Sequence, residues 1–380
     1  MSHLAKTCQL LCITALMTGC ATAVPPVQTP AEQPKAVIAE TIKTATPTTA
    51  PAKLAAKPEQ SLQVGFLARP DVQTFYRSVV AERQLPEQPV AQLLSEAQYD
   101  ETARRLMTPR PDGRGPIIRD WPTYRKRFVE PIRIERGRAF MQAHAQTLMQ
   151  AEKKYGVPAS IIAAIIGIET LYGQHMGNHK VLDTVTTLAF DYPEHPKRAQ
   201  RVELFQTQLA DLLELHVKGK LNAHTQLGSF AGAIGLGQFM PTSIKEYAVS
   251  AQPPRAIDLE HNLDDAIFSV ANFLRQHGWV PGAPVFAPVT LPADAGKLVT
   301  GGLEPTLTWS DLEHAGATAS NSQIPAASWQ SLPLGVIDLP TARTGYVQYL
   351  VATPNFFALT QYNRSYFYAT SVAQLAQEIR

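Results

Sequence analysis

The feature that most constrains this chain is an apolar segment, residues 160–173, that contains a single carboxylic acid. It reads Ser-Ile-Ile-Ala-Ala-Ile-Ile-Gly-Ile-Glu-Thr-Leu-Tyr-Gly. Its acid, Glu169, follows Ile162 and Ile166 at intervals of four and three residues, so the three share one face of a helix. That face should pack on the core of the fold, so the helix carries Glu169 toward it.

Burial gives the carboxyl of Glu169 a particular chemistry. Among isoleucines a carboxyl loses hydration, which disfavours its charged form and raises its pKa. A carboxylic acid that is still protonated near neutral pH is suited to act as a general acid. The alternative is a structural carboxyl paired with an arginine, because ion pairs inside a fold also perturb pKa values. The segment alone leaves both interpretations open.

The N-terminus has the pattern of an export signal that ends at a cysteine. Lys6 is followed by an apolar stretch, residues 10–17, that is shorter than the about 20 residues of a membrane-spanning helix. Small residues then lead to Cys20, which is similar to a bacterial lipobox, where the cysteine is lipid-modified. The pattern predicts a lipoprotein signal peptide over residues 1–19; the alternative is an ordinary signal peptide with a chance cysteine. Ala21 follows, and a residue other than Asp there is associated with the outer membrane of a Gram-negative cell, facing the periplasm.

Cysteine positions and composition separate a leader and a tether from the folded part. The three cysteines, Cys8, Cys12 and Cys20, all lie at the N-terminus, so the folded part has no disulfide and no cysteine-ligated metal. Residues 20–65 are rich in Ala, Pro and Thr and contain no aromatic residue, which predicts a disordered tether. Residues 66–380 suffice for one large domain with subdomains.

Basic residues crowd one region of a chain whose net charge is only +2. The default interpretation is a solvated basic face, and the functional one is attraction to an anionic polymer. Nucleic acid is not expected as that polymer, because the chain has an export signal and no recognisable nucleic-acid-binding motif. The residues are Arg104, Arg105, Arg110, Arg114, Arg119, Arg125, Lys126, Arg127, Arg133, Arg136 and Arg138.

Periodicity predicts a mainly helical folded part. One helix is expected to end at Gly156 as a left-handed cap, with His144 on its core face. Pro, Gly and Thr over residues 281–339 indicate loops and small strands. Helices are predicted over residues 141–155, 160–173, 201–216, 263–276 and 371–379, with a helical turn at 310–314 and a strand at 346–351.

A second segment, residues 228–243, reads Gly-Ser-Phe-Ala-Gly-Ala-Ile-Gly-Leu-Gly-Gln-Phe-Met-Pro-Thr-Ser. Its four glycines permit close backbone approach, and they lack the order and context of a nucleotide-binding loop. Polar Ser229 and Gln238 alternate with Phe230 and Phe239, a mixture suited to a sugar. A glycine-rich turn that packs against a helix is the alternative.

Three separated motifs together resemble the membrane-bound lytic murein transglycosylase B family. They are Gly-Ile-Glu-Thr-Leu-Tyr-Gly at residues 167–173, the glycine-rich segment, and Tyr-Asn-Arg-Ser-Tyr-Phe-Tyr at residues 362–368. Residues 264–274 and His-Gly-Trp at 277–279 also resemble it. The motifs occur in the family's order, and the similarity runs from about Gly65 to the C-terminus.

The resemblance implies a lysozyme-like, mainly α fold with some β structure. It implies a helical subdomain over about 66–135, a core over about 136–280 and 340–380, and an insertion over about 281–339. The implied activity is cleavage of the bond between N-acetylmuramic acid and N-acetylglucosamine in peptidoglycan, with formation of 1,6-anhydromuramic acid and without cofactor. A hydrolytic muramidase and a non-catalytic peptidoglycan-binding lipoprotein are the alternatives.

The resemblance also assigns roles to residues. Glu169 would be the sole catalytic acid and base, and Ser229 and Gln238 would contact the muramyl sugar. Asn363, beside Tyr362, would orient the acetamido group of the reacting sugar. Phe239 and Tyr368 would line the cleft. Three carboxyls nearby in the sequence could in principle serve as a second catalytic acid: Asp183, Asp191 and Glu203. Nothing in their spacing from Glu169 indicates that role.

One departure from the family concerns calcium. Some members carry an acid-rich calcium loop after the glycine-rich segment. Here residues 250–258 contain one carboxylate, two prolines and an arginine. Calcium takes six to eight oxygen ligands, several of them carboxylates, so we predict no calcium site in this loop.

Overall fold

The structure is a computed structural model that describes residues 65–109, 119–253, 255–320 and 323–380. The predicted signal peptide with Cys20, and the predicted tether apart from Gly65, lie outside the described residues, as do Arg110 and Arg114. Within the described ranges, fourteen α-helices and six short strands form the fold. The predicted mainly helical fold class, with a few small strands, is confirmed.

Helices carry most of the architecture. They are α1 (Pro70–Arg83), α2 (Glu87–Glu96), α3 (Glu101–Met107), α4 (Trp121–Arg125), α5 (Pro131–Ala143), α6 (Ala145–Tyr155), α7 (Ala159–Thr170), α8 (Val181–Phe190), α9 (Arg198–Val217), α10 (Pro241–Tyr247), α11 (Leu263–Gln276), α12 (Trp309–His314), α13 (Pro354–Tyr362) and α14 (Tyr366–Glu378). None of the helices in the described ranges combines the length and the apolarity needed to cross a bilayer.

Helix α7, which carries Glu169, lies at the centre of this arrangement. Its residues from Ser160 to Ile168 are all buried, and α5, α6, α11 and α14 pack around it. Gly156, with φ 71°, ends α6 in the left-handed conformation that the sequence predicted, and Pro158 precedes the first turn of α7. The chain thus delivers a carboxyl to the interior on a helix that neighbours surround.

The helix predicted over residues 141–155 is incorrect at its N-terminal end. The chain breaks at His144, whose φ of −117° and ψ of 23° are non-helical, and α5 and α6 meet there. Because the chain changes direction at His144, α5 and α6 both pack against α7, which a single straight helix would not do along its whole length. The ring of His144 packs on Phe140 with centroids 4.7 Å apart.

Six short strands pair in three antiparallel hairpins or bridges. They are β1 (His179–Lys180) with β2 (Leu227–Gly228), β3 (Val289–Thr290) with β4 (Thr318–Ala319), and β5 (Gly335–Thr341) with β6 (Tyr346–Ala352). The register of the last pair runs from Gly335 opposite Ala352 to Thr341 opposite Tyr346. A second, small apolar core that includes Leu312, Trp329 and Val336 lies beneath it. The predicted strand at 346–351 and helical turn at 310–314 are confirmed.

Candidate active site

Glu169 lies in the last turn of α7 and is partly exposed, whereas the residues on either side of it are buried. Its Oε1 accepts a hydrogen bond of 2.5 Å from the hydroxyl of Tyr368, which α14 provides. Burial raises the pKa of the Glu169 carboxyl to about 7, and the hydrogen bond from Tyr368 acts in the opposite direction. The carboxyl is therefore poised to hold or release a proton near neutral pH.

The chain after Glu169 turns sharply. Leu171, Tyr172 and Gly173 have φ values of 50°, 59° and 90°, so two non-glycine residues adopt the left-handed conformation. This turn points Tyr172 back at Gly167 of its own helix, and the Tyr172 hydroxyl donates to the carbonyl of Arg133 on α5 at 3.1 Å. A Cβ at Gly167 would lie 2.5 Å from that hydroxyl, which explains why the motif begins with glycine.

Thr170 joins the end of α7 to the glycine-rich loop, residues 228–239. Its hydroxyl donates to the carbonyl of Leu236 at 3.0 Å and accepts the N–H of Gly173 at 3.0 Å. The threonine is buried, so these bonds are shielded from water. The position of Glu169 is thereby tied to the position of the loop.

The glycine-rich loop is held by its own backbone and by a neighbouring segment. The hydroxyl of Ser229 accepts the N–H of Ala233 at 3.1 Å, which turns the start of the loop. The N–H of Leu236 donates to the carbonyl of Leu259 at 3.0 Å. Gly235, with φ 70°, allows this approach, since a Cβ there would lie 2.2 Å from the Leu259 oxygen. The glycines therefore do serve close packing, the alternative that the sequence left open for them.

Gln238 is held in an orientation that presents its amide oxygen. Its φ is 50°, and its side-chain nitrogen donates to the carbonyls of Met176 at 3.2 Å and Gly235 at 3.0 Å. Because both N–H groups are used, the amide oxygen is the group left to accept from a ligand. It has no hydrogen bond within the described part of the chain.

The structure corrects the prediction for Phe239. Its side chain is only 2% exposed and packs on Phe273 and Tyr362, with centroids 5.8 Å and 6.0 Å apart, so it does not line a cleft. Tyr362 is similarly buried, and its hydroxyl donates to the carbonyl of Gly237. Both rings support the loop from behind.

Asn363 and Tyr368 lie at the junction of α13 and α14. Asn363 ends α13, and its side chain is 5% exposed with no hydrogen bond to its amide in the described ranges. Tyr368 is only 1% exposed, so its ring is buried, and its hydroxyl reaches the site by donating to Glu169. The C-terminal motif thus supplies an amide and a hydroxyl.

The sequence did not reveal Tyr124 as a residue of this site. Its hydroxyl is buried and has no hydrogen-bond partner among the described residues, and its ring contacts Phe367 with centroids 5.4 Å apart. Burial raises the pKa of Tyr124, and the negative charge of nearby Glu169 raises it further. Helix α4 has only five residues, so no periodicity marks this tyrosine.

Two of the other candidate carboxyls are used elsewhere. Asp191 pairs with Arg69 at 2.6 Å, and Asp183 accepts the backbone N–H of Gln98 at 2.9 Å. Glu203 is exposed on α9. The contacts of Asp191 and Asp183 support the N-terminal helices, and none of the three carboxyls is among the groups that shift the pKa of Glu169.

In the loop where calcium was not expected, a guanidinium meets a buried carboxylate. Asp265 is fully buried and accepts from Arg255 at 3.0 Å and from the N–H groups of Ala251 at 2.7 Å and Asp258 at 3.0 Å. A cationic side chain thus already neutralises the acid that a metal would need.

We expect millimolar calcium to leave the melting temperature of the folded domain unchanged to within about 1 °C. A ligand stabilises a protein only by binding its folded state, and we predict that this loop does not bind calcium. A thermal-melt titration measures this, with magnesium as the ionic-strength control. A rise of several degrees that is specific to calcium would contradict the prediction.

The fold and the site together define a class of protein. Glu169 is a lone carboxylic acid with a pKa near 7, and it lies on the central helix of a mainly helical fold, beside a glycine-rich loop. This combination indicates a lysozyme-like enzyme that cleaves glycans. The chain belongs to the Transglycosylase SLT domain family, which matches residues 68–377.

Individual relatives agree with this assignment. Membrane-bound lytic murein transglycosylase B of Escherichia coli is 35% identical over 329 residues, which cover 84% of this chain and 85% of the relative. The catenated lytic transglycosylase SltB1 from Pseudomonas aeruginosa has a TM-score of 0.71 and 33% identity, covering 82% of this chain and 97% of its own. SltB3 from the same organism, in complex with NAG-NAM-pentapeptide, has a TM-score of 0.67 and 28% identity, covering 81% and 78%. The predicted family and the enzyme class, a peptidoglycan lytic transglycosylase, are confirmed.

Proposed function

We propose that Glu169 alone serves as acid and then as base in cleavage of the MurNAc–GlcNAc β-1,4 bond. The observation that carries the proposal is a single carboxyl whose pKa burial raises to about 7. Protonated Glu169 gives its proton to the glycosidic oxygen as the bond to the anomeric carbon breaks. The N-acetylglucosamine end leaves as an alcohol, and the muramyl acetamide stabilises the anomeric carbon.

In the second step the Glu169 carboxylate removes the proton of the C6 hydroxyl of the same sugar. The C6 oxygen attacks the anomeric carbon and closes the 1,6-anhydro ring, which restores protonated Glu169. An intramolecular hydroxyl has a high effective concentration, which favours it over water. One carboxyl therefore suffices, whereas most glycosidases use a pair.

The surrounding residues act by binding and orientation. We propose that the Gln238 amide oxygen and the Ser229 hydroxyl contact the muramyl sugar, and that the Asn363 amide holds its acetamido group. Tyr368 holds the carboxyl of Glu169 by its hydrogen bond. Tyr362 and Phe239 contribute by supporting the loop.

The composition of the products tests this proposal. Purified sacculi digested with residues 66–380 are expected to yield muropeptides that end in 1,6-anhydromuramic acid, each lighter by one water than the product of hydrolysis. Mass analysis distinguishes the two. Free reducing muramic acid would identify a hydrolytic muramidase, and no release at all would identify a binding protein.

Tyr368→Phe is expected to shift the pH dependence of cleavage. Its hydroxyl lowers the pKa of Glu169, so its loss raises that pKa further above the value of a free carboxyl. Because the first step needs protonated Glu169, activity falls as pH rises through this pKa, and the high-pH limb of kcat/KM should move up by about 0.5–1 unit. Tyr366→Phe, which removes a hydroxyl on the same helix that donates to the carbonyl of Gly302 at 2.6 Å, is the control. A limb that moves to lower pH would rule out this role.

We further propose that Cys20 carries a lipid anchor in the outer membrane and that residues 20–65 tether the enzyme in the periplasm. The folded part would comprise the helical subdomain, core and insertion at the boundaries given above. Cys20→Ala is expected to move the protein from the membrane fraction to the soluble periplasmic fraction, because at least one acyl chain is lost. Immunoblots of fractionated cells measure this, and a variant that stays with the membrane would contradict it.

A further inference from the structure

A fully buried carboxylate on α11 holds the α10–α11 connection, residues 248–262. The carboxylate belongs to Asp265. Its Oδ1 accepts the N–H of Ala251 at 2.7 Å and Nη2 of Arg255 at 3.0 Å, and its Oδ2 accepts the N–H of Asp258 at 3.0 Å. One side chain thus fixes three points of this connection, and the guanidinium offsets a charge that burial would otherwise leave unpaired.

The α10–α11 connection is bordered by open space on two sides. A cavity of about 700 Å³ lies against residues 256–261 and against Ile234 of the glycine-rich loop. A second cavity, of about 640 Å³, lies against residues 255–258 and 261–264. Close packing therefore holds this stretch less firmly than it holds the core, and the hydrogen bonds to Asp265 matter more for its position.

The α10–α11 connection also touches the glycine-rich loop beside Glu169. Leu259 lies one residue beyond the last backbone N–H that Asp265 accepts, and its carbonyl accepts the N–H of Leu236 at 3.0 Å. The carbonyl of Leu236 in turn accepts from the hydroxyl of Thr170 at 3.0 Å, and Thr170 directly follows Glu169 in the chain. A continuous series of bonds therefore leads from Asp265 to the end of α7.

We propose that Asp265 is a positioning residue for glycan cleavage. By holding the α10–α11 connection, it fixes the glycine-rich loop, which carries Gln238, relative to the carboxyl of Glu169. A misplacement of about 1 Å between groups that act on one substrate can cost about a hundredfold in rate. This inference rests on the proposed function of Glu169 and Gln238, and it adds a buried residue that acts through the backbone.

The test places Asp265→Asn in two backgrounds, the wild type and Thr170→Val. Asparagine has the size of aspartate, but its amide nitrogen cannot accept a backbone N–H, so part of the bond set is lost. Thr170→Val removes the hydroxyl that joins α7 to Leu236. Ser269→Ala is the matched control, because buried Ser269 lies one turn further along α11 and accepts the N–H of Val249 at 3.0 Å, away from Leu236.

In the wild-type background, Asp265→Asn is expected to lower kcat for anhydromuropeptide release about tenfold per folded molecule. In the Thr170→Val background the glycine-rich loop is already released from α7, so the same substitution should lower kcat by less than about twofold. Ser269→Ala should leave kcat unchanged in both backgrounds. Initial rates are measured well below the melting temperatures, and denaturation curves give the folded fraction of each protein.

Arg255→Gln provides a second test that does not depend on the folding of Asp265→Asn. It removes a half-exposed partner and leaves the two backbone N–H groups on Asp265. We expect a smaller loss of kcat in the wild-type background, about threefold, because two of the three bonds remain. Arg255→Lys should retain part of that activity, and Thr170→Val should again remove the effect.

Three results would overturn the inference. A loss of kcat by an equal or larger factor in the Thr170→Val background would show that Asp265 only stabilises the fold and does not act through Thr170. An equal loss in Ser269→Ala would show the same, and an unchanged kcat in Asp265→Asn would show that it positions nothing. The nature of the product is a separate readout: reducing ends from the wild type would refute the anhydro-forming reaction, whereas the comparison of backgrounds reports on Asp265 alone.

Discussion

Glu169→Gln is expected to reduce anhydromuropeptide release by on the order of a thousandfold or more. General acid–base catalysis contributes about 10²–10⁴-fold per step, and here one group serves both steps. Glutamine has the same shape, and its amide oxygen still accepts from Tyr368, so the packing at the end of α7 is retained. The measurement is the initial rate of release from sacculi, with melting curves to confirm that the variant folds.

Glu203→Gln is the control, because it removes an exposed carboxyl from α9. It should leave the rate unchanged. Release by Glu169→Gln at the wild-type rate would mean that another group performs the chemistry, and the proposal would then fail. A partial loss of only a few-fold would equally contradict a sole acid and base.

The same variant has a second, pH-dependent readout. The folded-state pKa of Glu169, about 7, lies above the ordinary value of 4.5. Below pH 4.5 the carboxyl is protonated in both the folded and the unfolded state, so it does not lower the stability of the wild type. As pH rises from 4.5 toward 7, the unfolded state releases this proton more readily than the folded state, and the wild type loses stability. Glu169→Gln has no such titration. The melting temperature of Glu169→Gln minus that of the wild type should therefore increase between pH 4.5 and about 7 and stay constant at higher pH.

Gly235→Ala is expected to have the second large effect, on both stability and activity. The residue has φ 70°, and a Cβ would lie 2.2 Å from the carbonyl oxygen of Leu259, so the loop must shift. Positive φ alone costs about 1 kcal/mol, and displacement of the loop raises the total cost to about 2–4 kcal/mol. Since Leu236 binds Thr170 next to Glu169, activity should fall by more than the loss of folded protein explains.

Gly282→Ala separates the two contributions. Gly282 has φ 78°, and a Cβ there would have no atom within 4 Å. It should lose only about 1 kcal/mol and keep full activity. Urea denaturation and initial rates measure both variants. Equal destabilisation by the two would show that backbone strain, and not contact with Leu259, makes Gly235 necessary.

Comparison of particular elements shows where sequence reasoning succeeds. The apolar pattern of residues 160–173 predicted a buried helix with one acid, and α7 agrees because a helix with no polar face has no stable place on a surface. Gly156 and the helix at 263–276 were likewise predictable, since caps and amphipathic periodicity are local. The motifs also sufficed to identify the family.

Other features depended on partners distant in the chain. Phe239 alternates with polar residues and resembles a ring for stacking on sugar, yet Phe273 and Tyr362 bury it. Tyr124 has no motif, and it reaches the site because α4 packs on Phe367. The arginines formed one cluster in the sequence, but their individual acceptors lie up to 249 residues away.

By itself, the sequence determined that a carboxyl would lie on a buried apolar helix, that the glycine-rich segment would permit close approach to its backbone, and which family the chain belongs to. These properties follow from local spacing, backbone freedom and side-chain polarity. The tertiary structure alone decided which hydroxyl meets Glu169, which rings support the loop and which arginines find acceptors within the fold. Such contacts arise when residues far apart in the chain compete for the same space and the same hydrogen-bond partners, and local spacing does not encode the outcome.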